Sequence, residues 1–240
     1  MRSPWAQFVN FCRKARRFLF PPRTRKSNRQ VWEAEWSRDD FAPQWGNRGV
    51  APEIVEAVNT GWLPAQGNVL DIGCGLGEIA AWFSECGYRT VAVDIAESAV
   101  AKGRKMHGHL SRPPEYLVLD ICAEQPPNRQ YNILIDRGCL HQIPREEIPN
   151  YVRNIAAVAA PDARLLLFMK AFRDGQPFGD PAEKARYEEW VSKVFAGVFV
   201  SDRVAETYLD RYQGKDPSCA LPGLACWLRR TSAPPPQPQQ

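Results

Sequence analysis

Three observations predict an α/β fold with a seven-stranded, mostly parallel sheet and helices on both faces. Short apolar runs alternate with helical segments between residues 69 and 194, the pattern of strands buried under crossover helices. A glycine-rich bend directly follows the first apolar run, where backbone must turn sharply or approach a ligand. Aspartates stand at or near the ends of four successive strand segments, along the edge where open α/β sheets bind ligands.

The elements read as follows. Trp5, Phe8, Val9, Cys12 and Leu19 fall on one helical face, with Arg13, Lys14, Arg16 and Arg17 crowded between them; Pro21 and Pro22 end that segment. A tryptophan-rich stretch follows, with Trp32, Trp36 and Trp45 and with Phe41 among them. Pro52 opens a helix carrying Ile54, Val55 and Val58. Strands are predicted at residues 69–72, 90–93, 116–119, 131–135 and 164–169, and helices at 78–86, 97–105, 146–159 and 183–194. Gly87 stops the first of these helices, and two late strands near 199–204 and 224–228 close the sheet.

Length and composition fit one domain with appendages. The chain has 240 residues, 44% hydrophobic and 24% charged, enough for a full core without disulfide staples. Its seven cysteines are odd in number and form no CxxC pair, which argues for reduced thiols in a cytoplasmic setting and against a zinc site. No metal ligand set is expected. The apolar runs are too short to span a bilayer. Residues 1–30 hold nine Lys or Arg and no acid, whereas the remainder holds 22 basic and 27 acidic groups. The net charge of +4 therefore belongs to a basic amphipathic leader, residues 1–30. That leader reads as a membrane-surface helix or an organelle-targeting segment, or as a packed helix with a solvated basic face. The acidic body, residues 31–230, gives no reason to expect nucleic acid. Residues 231–240, rich in Pro and Gln, are expected to be disordered.

The most informative segment runs Val69-Leu70-Asp71-Ile72-Gly73-Cys74-Gly75-Leu76-Gly77-Glu78. A buried strand enters a GxGxG bend and then a helix whose N-terminus faces the crevice. No Lys-Ser/Thr follows, which excludes a phosphate-cradling P-loop. Asp71 would repel a pyrophosphate but suits a ligand bearing an ammonium or sulfonium group. Asp94, about twenty residues on, stands where a carboxylate accepts ribose hydroxyls. Asp120 ends the third strand, within reach of an adenine amino group, and Asp136 ends the fourth. Singly, each is a plausible cap or turn residue; together they favour a ligand site.

In motif order and spacing, residues 69–136 resemble the Rossmann-like core of class I S-adenosylmethionine-dependent methyltransferases. The resemblance implies Gly73, Gly75 and Gly77 against the methionine part of S-adenosyl-L-methionine, Asp94 on ribose and Asp120 near adenine. The segment Asp136-Arg137-Gly138 is similar to the Asp-Arg-Gly of the thiopurine and small-thiol methyltransferase superfamily. The Trp32-Glu33-Ala34-Glu35-Trp36 stretch, with Phe41 and Trp45, resembles that family's lid over the cofactor. Gly175-Gln176-Pro177-Phe178 resembles its Gly-Pro-Pro-aromatic loop, with Gln176 departing from the pattern. The likeness implies Trp36 at the cofactor, and Phe41, Trp45 and Phe178 at the acceptor.

Methyl transfer from a sulfonium needs an aligned, deprotonated nucleophile. A thiol with a pKa near ~8.5 is already partly ionised at neutral pH, and Arg137 would raise that fraction. An alcohol needs a base, for which His141 is the candidate. The expected function is methylation of a small molecule, with thiols, sulfides or related chalcogens preferred and O- or N-methylation of a metabolite as the alternative. A protein or RNA methyltransferase is disfavoured, because the fourth-strand segment lacks Asn/Asp-Pro-Pro-aromatic. A non-catalytic cofactor-binding protein is a further alternative.

Overall fold

The computed structural model describes residues 25–38, 49–127, 129–170, 181–209 and 222–231. Most of the basic leader, the Pro/Gln-rich tail and the positions Phe41, Trp45 and Phe178 lie outside them. Seven strands form one sheet in the order β3-β2-β1-β4-β5-β7-β6. They are β1 (Asn68–Ile72), β2 (Arg89–Asp94), β3 (Glu115–Val118), β4 (Tyr131–Arg137), β5 (Ala159–Lys170), β6 (Phe199–Tyr208) and β7 (Pro222–Arg230). The first five run parallel, and β7 lies antiparallel between β5 and β6. The predicted sheet is the observed one. Chain order reverses between β1 and β4, which opens a crevice at their carboxyl ends.

Helices α1 (Arg25–Trp36), α2 (Pro52–Asn59), α3 (Glu78–Glu85), α4 (Glu97–His107), α5 (Ile148–Val158) and α6 (Pro181–Val194) accompany the sheet. The period of two along a strand sends alternate residues to opposite faces. Leu70 and Ile72 join the core beneath Tyr151 and Ile155 of α5, whereas Val69 packs with Ile54 of α2 and Phe83 of α3. Leu134 likewise faces α5, and Ile133 and Ile135 face the other layer. Each such fully buried aliphatic or aromatic side chain stabilises the fold by about 1.5–3 kcal/mol.

Two boundaries differ from the sequence expectation. The helix predicted to run to residue 159 ends at Val158, and β5 begins at once, ahead of Pro161 and Asp162. The sheet accommodates them at an irregularity, where the β4–β5 register jumps between Tyr131 and Ile133, one of the few places a strand tolerates proline. The basic stretch ending at Arg29, read as part of the leader, supplies the first turns of α1. None of the described helices is long and apolar enough to cross a membrane.

Candidate active site

The glycine bend is shaped for close approach. Gly73, Gly75 and Gly77 have φ of +67°, +54° and +74°, a left-handed conformation that costs a residue with a Cβ roughly 1–2 kcal/mol. A Cβ on Gly73 would lie 2.6 Å from the Cβ of Cys139, and one on Gly75 would lie 2.8 Å from the Trp36 ring. The bend is thus pressed between the turn after β4 and the last residue of α1.

A cavity opens over this edge. Among the described residues its walls include Trp32 and Trp36 from α1, Gly73 from the bend, Asp94 and Asp120 from the tips of β2 and β3, and Arg137, Gly138 and Cys139 after β4. Asp94 Oδ2 accepts the Gly75 N–H at 2.9 Å and Oδ1 accepts the Ala96 N–H at 2.9 Å. Burial pushes its carboxyl up, and these backbone donors pull the other way. Asp120 Oδ1 accepts the Cys122 N–H at 3.0 Å. Two carboxylates held rigidly at a cavity wall suit hydroxyl and amino donors on a ligand.

Asp71 and Asp136, expected at the same ligand, are not among the cavity-lining residues. Each carboxylate is turned to neighbouring donors instead. Asp71 shares the face of Val69 and accepts the Ala80 N–H of α3 at 3.2 Å. Asp136 shares the face of Leu134, fully buried, where it accepts Tyr151 Oη–H at 2.8 Å and the N–H groups of Cys139 and Leu140 at 2.8 and 3.0 Å. Burial, the dominant cause, raises the two carboxyls to about 7 and about 6 respectively. Their place in the geometry is to hold the first turn of α3 and the turn after β4.

The two candidate catalytic residues part company. Arg137 lines this cavity, and its guanidinium also donates to the Leu209 carbonyl. His141 lines a second, adjacent cavity that shares Ile143 with the first. Its Nδ1 accepts the Lys170 N–H at 3.3 Å, and burial, with a smaller push from the Lys170 charge, lowers its pKa to about 4. The His141 ring closes the partition between cavities, 3.4 Å from where a Gly138 Cβ would stand.

Sequence reasoning missed Asn28. It is buried, it lines the first cavity, and its Oδ1 has no hydrogen-bond partner among the described residues. A buried amide oxygen without a partner is costly unless a ligand supplies one. Its signal was present, since Asn28, Trp32 and Trp36 fall at i, i+4 and i+8 of one helix face. That helix is fastened over the cavity: Lys102 Nζ donates to the Trp36 and Arg38 carbonyls at 2.6 and 2.9 Å, and Ser98 N–H to Glu33 Oε2 at 3.3 Å. Among the described residues, no group of three or more His, Cys, Asp or Glu is placed to hold a metal ion.

Comparison with known proteins agrees with this geometry. The model of a family described as a methyltransferase domain matches residues 42–207. The chain is 31% identical over 156 residues to 2-heptyl-1-hydroxyquinolin-4(1H)-one methyltransferase of Mycobacteroides abscessus, covering 63% of this chain and 67% of that protein. It is 28% identical over 152 residues to thiocyanate methyltransferase 1 of Arabidopsis thaliana, covering 61% and 65% respectively. Among solved structures, the N-methyltransferase NodS from Bradyrhizobium japonicum, in complex with S-adenosyl-L-homocysteine, superposes with a TM-score of 0.61. It is 16% identical, with 85% of this chain and 98% of that chain covered. At that identity the likeness concerns the fold.

Proposed function

The chain belongs to the methyltransferase-domain family, and on that premise we propose that it methylates small acceptors which reach the site already nucleophilic, thiols first. It is an S-adenosyl-L-methionine-dependent enzyme acting on a small molecule. Bound in the first cavity, S-adenosyl-L-methionine would supply a methyl carbon activated by its sulfonium sulfur, for displacement by the acceptor's lone pair with the carbon–sulfur bonding electrons returning to sulfur.

The residues fit that donor. Gly73 and Gly75 admit its backbone-hugging amino-acid part, Asp94 accepts from the ribose hydroxyls, and Asp120 stands near the base. Trp32 and Trp36 roof the cavity, exclude water and stack against the donor. The buried Asn28 Oδ1 accepts one of its N–H or O–H groups. Asp71 and Asp136 act indirectly, by fixing the two turns between which the donor is seated.

The observation that carries the acceptor reading is the state of His141. With Nδ1 accepting from the Lys170 backbone, the neutral ring carries its proton on Nε2, and a pKa near 4 leaves it no appetite for another at neutral pH. Among the described lining residues of both cavities, the carboxylates are Asp94 and Asp120, which this reading assigns to the donor. An acceptor that needs no strong base, such as a thiol that is a few per cent thiolate at pH 7, suits this site. Arg137, at the cavity wall, favours the anion.

A second reading rests on the hydroxyquinolone methyltransferase relative: an acidic hydroxyl, ionised without enzymatic help, meets the same requirement. Competition assays with thiols, acidic hydroxyl compounds and amines test both. The thiol reading predicts turnover of thiols at the highest kcat/KM, and methylation confined to oxygen or nitrogen would overturn it.

A further inference from the structure

The second cavity has a chemistry of its own. It encloses about 420 Å³ beside the carboxyl ends of β4 and β5, within the ~300–1,000 Å³ usual for small-molecule sites. Met169 from β5, Ile143 from the turn after β4, and Tyr187 and Trp190 from α6 give it an apolar and aromatic wall. Arg145, Lys170 and Arg186 stand around that wall, and the described lining residues include no Asp or Glu. Among the described residues, no carboxylate forms an ion pair with any of the three cations. His141, held neutral, adds an Nε2–H donor without adding charge.

This distribution is not that of an ordinary core edge. Some surface cations elsewhere are paired, Lys193 with Glu189, Arg203 with Glu56 and Arg229 with Asp202. Around this cavity three cations gather with no carboxylate among the described lining residues, beside a wall that suits aromatic rings. A low-dielectric wall strengthens the field of the cations across the opening. The shared Ile143 and the adjoining Gly138–His141 partition put the cavity directly beside the donor site.

We propose that this cavity is the acceptor site and that it selects an aromatic or otherwise apolar small molecule carrying an anionic group, seated on Met169, Tyr187 and Trp190 and paired with Lys170 and Arg186. This deepens the proposed function and rests on it for the word acceptor; the binding chemistry stands on the cavity itself. Lys170 and Arg186 approach from β5 and α6 respectively, so one anionic group bridges sheet and helix. Small apolar amines and extended polyanions fit poorly, the first through repulsion and the second through the enclosed apolar wall.

The test compares two probes of the same shape on the full chain. The sulfonate 8-anilinonaphthalene-1-sulfonate and its uncharged counterpart N-phenyl-1-naphthylamine are titrated by fluorescence. The anion binds at least about tenfold tighter, and Lys170→Gln combined with Arg186→Gln removes that preference while binding of the neutral probe stays within about twofold. Arg186 is exposed on α6, so Arg186→Gln alone leaves folding intact and already reduces the preference. Equal binding of the two probes, or a double variant that still prefers the anion, would overturn the proposal. Calorimetry with S-adenosyl-L-homocysteine, run on the same variants, separates the two readings. Uptake unchanged by the double substitution supports two distinct cavities, and no uptake by the parent protein would defeat the donor placement while leaving the anion preference to stand or fall on the probes. Turnover of 4-mercaptobenzoate over thiophenol supports the acceptor site, and 4-hydroxybenzoate turned over while both thiols fail would sink the thiol preference alone.

Discussion

The carboxylate of Asp94 accepts the backbone N–H of Gly75 at 2.9 Å across nineteen residues of sequence. This one bond ties the tip of β2 to the glycine bend after β1, at the wall of the first cavity. With its other oxygen held by Ala96 N–H, the side chain is locked in place before a ligand arrives, which lowers the ordering cost of binding.

Asp94→Ala is therefore expected to weaken S-adenosyl-L-homocysteine binding by about 10- to 150-fold, the range for losing hydrogen bonds to a charged group. Asp94→Asn, which keeps one acceptor oxygen, falls between. Calorimetry decides, and affinity within twofold of the parent for Asp94→Ala would remove Asp94 from the site.

Gly73→Ala combines a positive φ with a Cβ 2.6 Å from that of Cys139. It should destabilise the fold by about 1–3 kcal/mol and abolish donor binding at ordinary concentrations. Gly87 shares the positive φ, at +92°, but has nothing within 4 Å of an added Cβ. Gly87→Ala should therefore lower stability through backbone strain alone and leave donor affinity unchanged. Urea unfolding paired with calorimetry distinguishes the two.

Asn28→Ala should separate binding from stability. Among the described residues its Oδ1 has no partner, so losing that oxygen forfeits no bond to them. The melting temperature is expected to hold or rise, while donor affinity falls about 2- to 13-fold, the worth of one ordinary hydrogen bond. A fall in stability with unchanged affinity would contradict the assignment.

For His141 the pH profile is the sensitive readout. A catalytic base contributes typically 10²–10⁴-fold. His141→Asn, whose Oδ1 replaces Nδ1 as the acceptor for Lys170 N–H, should lower kcat by less than about tenfold. The pH dependence of kcat/KM should keep following the acceptor's own ionisation, with no lost inflection. A hundredfold fall with a changed profile would restore His141 as a base.

Asp136 links stability to pH. Its carboxyl titrates near 6 in the fold, against an ordinary value of 3.8. Between those values the native state holds the proton that the unfolded chain releases, so this group's contribution is full below pH 4 and is lost as pH rises to 6. Asp136→Asn does not ionise. Its stability deficit relative to the parent should be greatest near pH 4 and narrow by on the order of 3 kcal/mol by pH 7. Urea unfolding at fixed ionic strength measures this, and a deficit independent of pH would refute it.

The sheet was legible because its signals are local. Apolar runs of strand length, Gly87 after a helix and Pro52 at the start of another needed no tertiary information. The glycine bend and the aspartates at the strand tips were legible for the same reason, and they marked the ligand edge. Position at a strand tip did not say which way each carboxylate turns. Asp94 and Asp120 reach the cavity, whereas Asp71 and Asp136 serve the N–H groups of neighbouring turns. That outcome depends on how far along its strand each carboxylate sits and on which donors lie beside it. Asn28 was passed over because the basic residues around it obscured its helical register with Trp32 and Trp36.

The sequence by itself determined the fold class, the strand that leads into the glycine bend and the chemical nature of the donor, since local periodicity, backbone freedom and formal charge are carried by neighbouring residues. Only the tertiary structure decided which acids line the first cavity, that Arg137 and His141 look into different cavities, and that Arg145, Lys170 and Arg186 gather around one apolar wall. Those last groups are up to 41 positions apart in the chain, and charge and hydrogen bonding act through space, so their grouping exists only once β4, β5 and α6 have packed together.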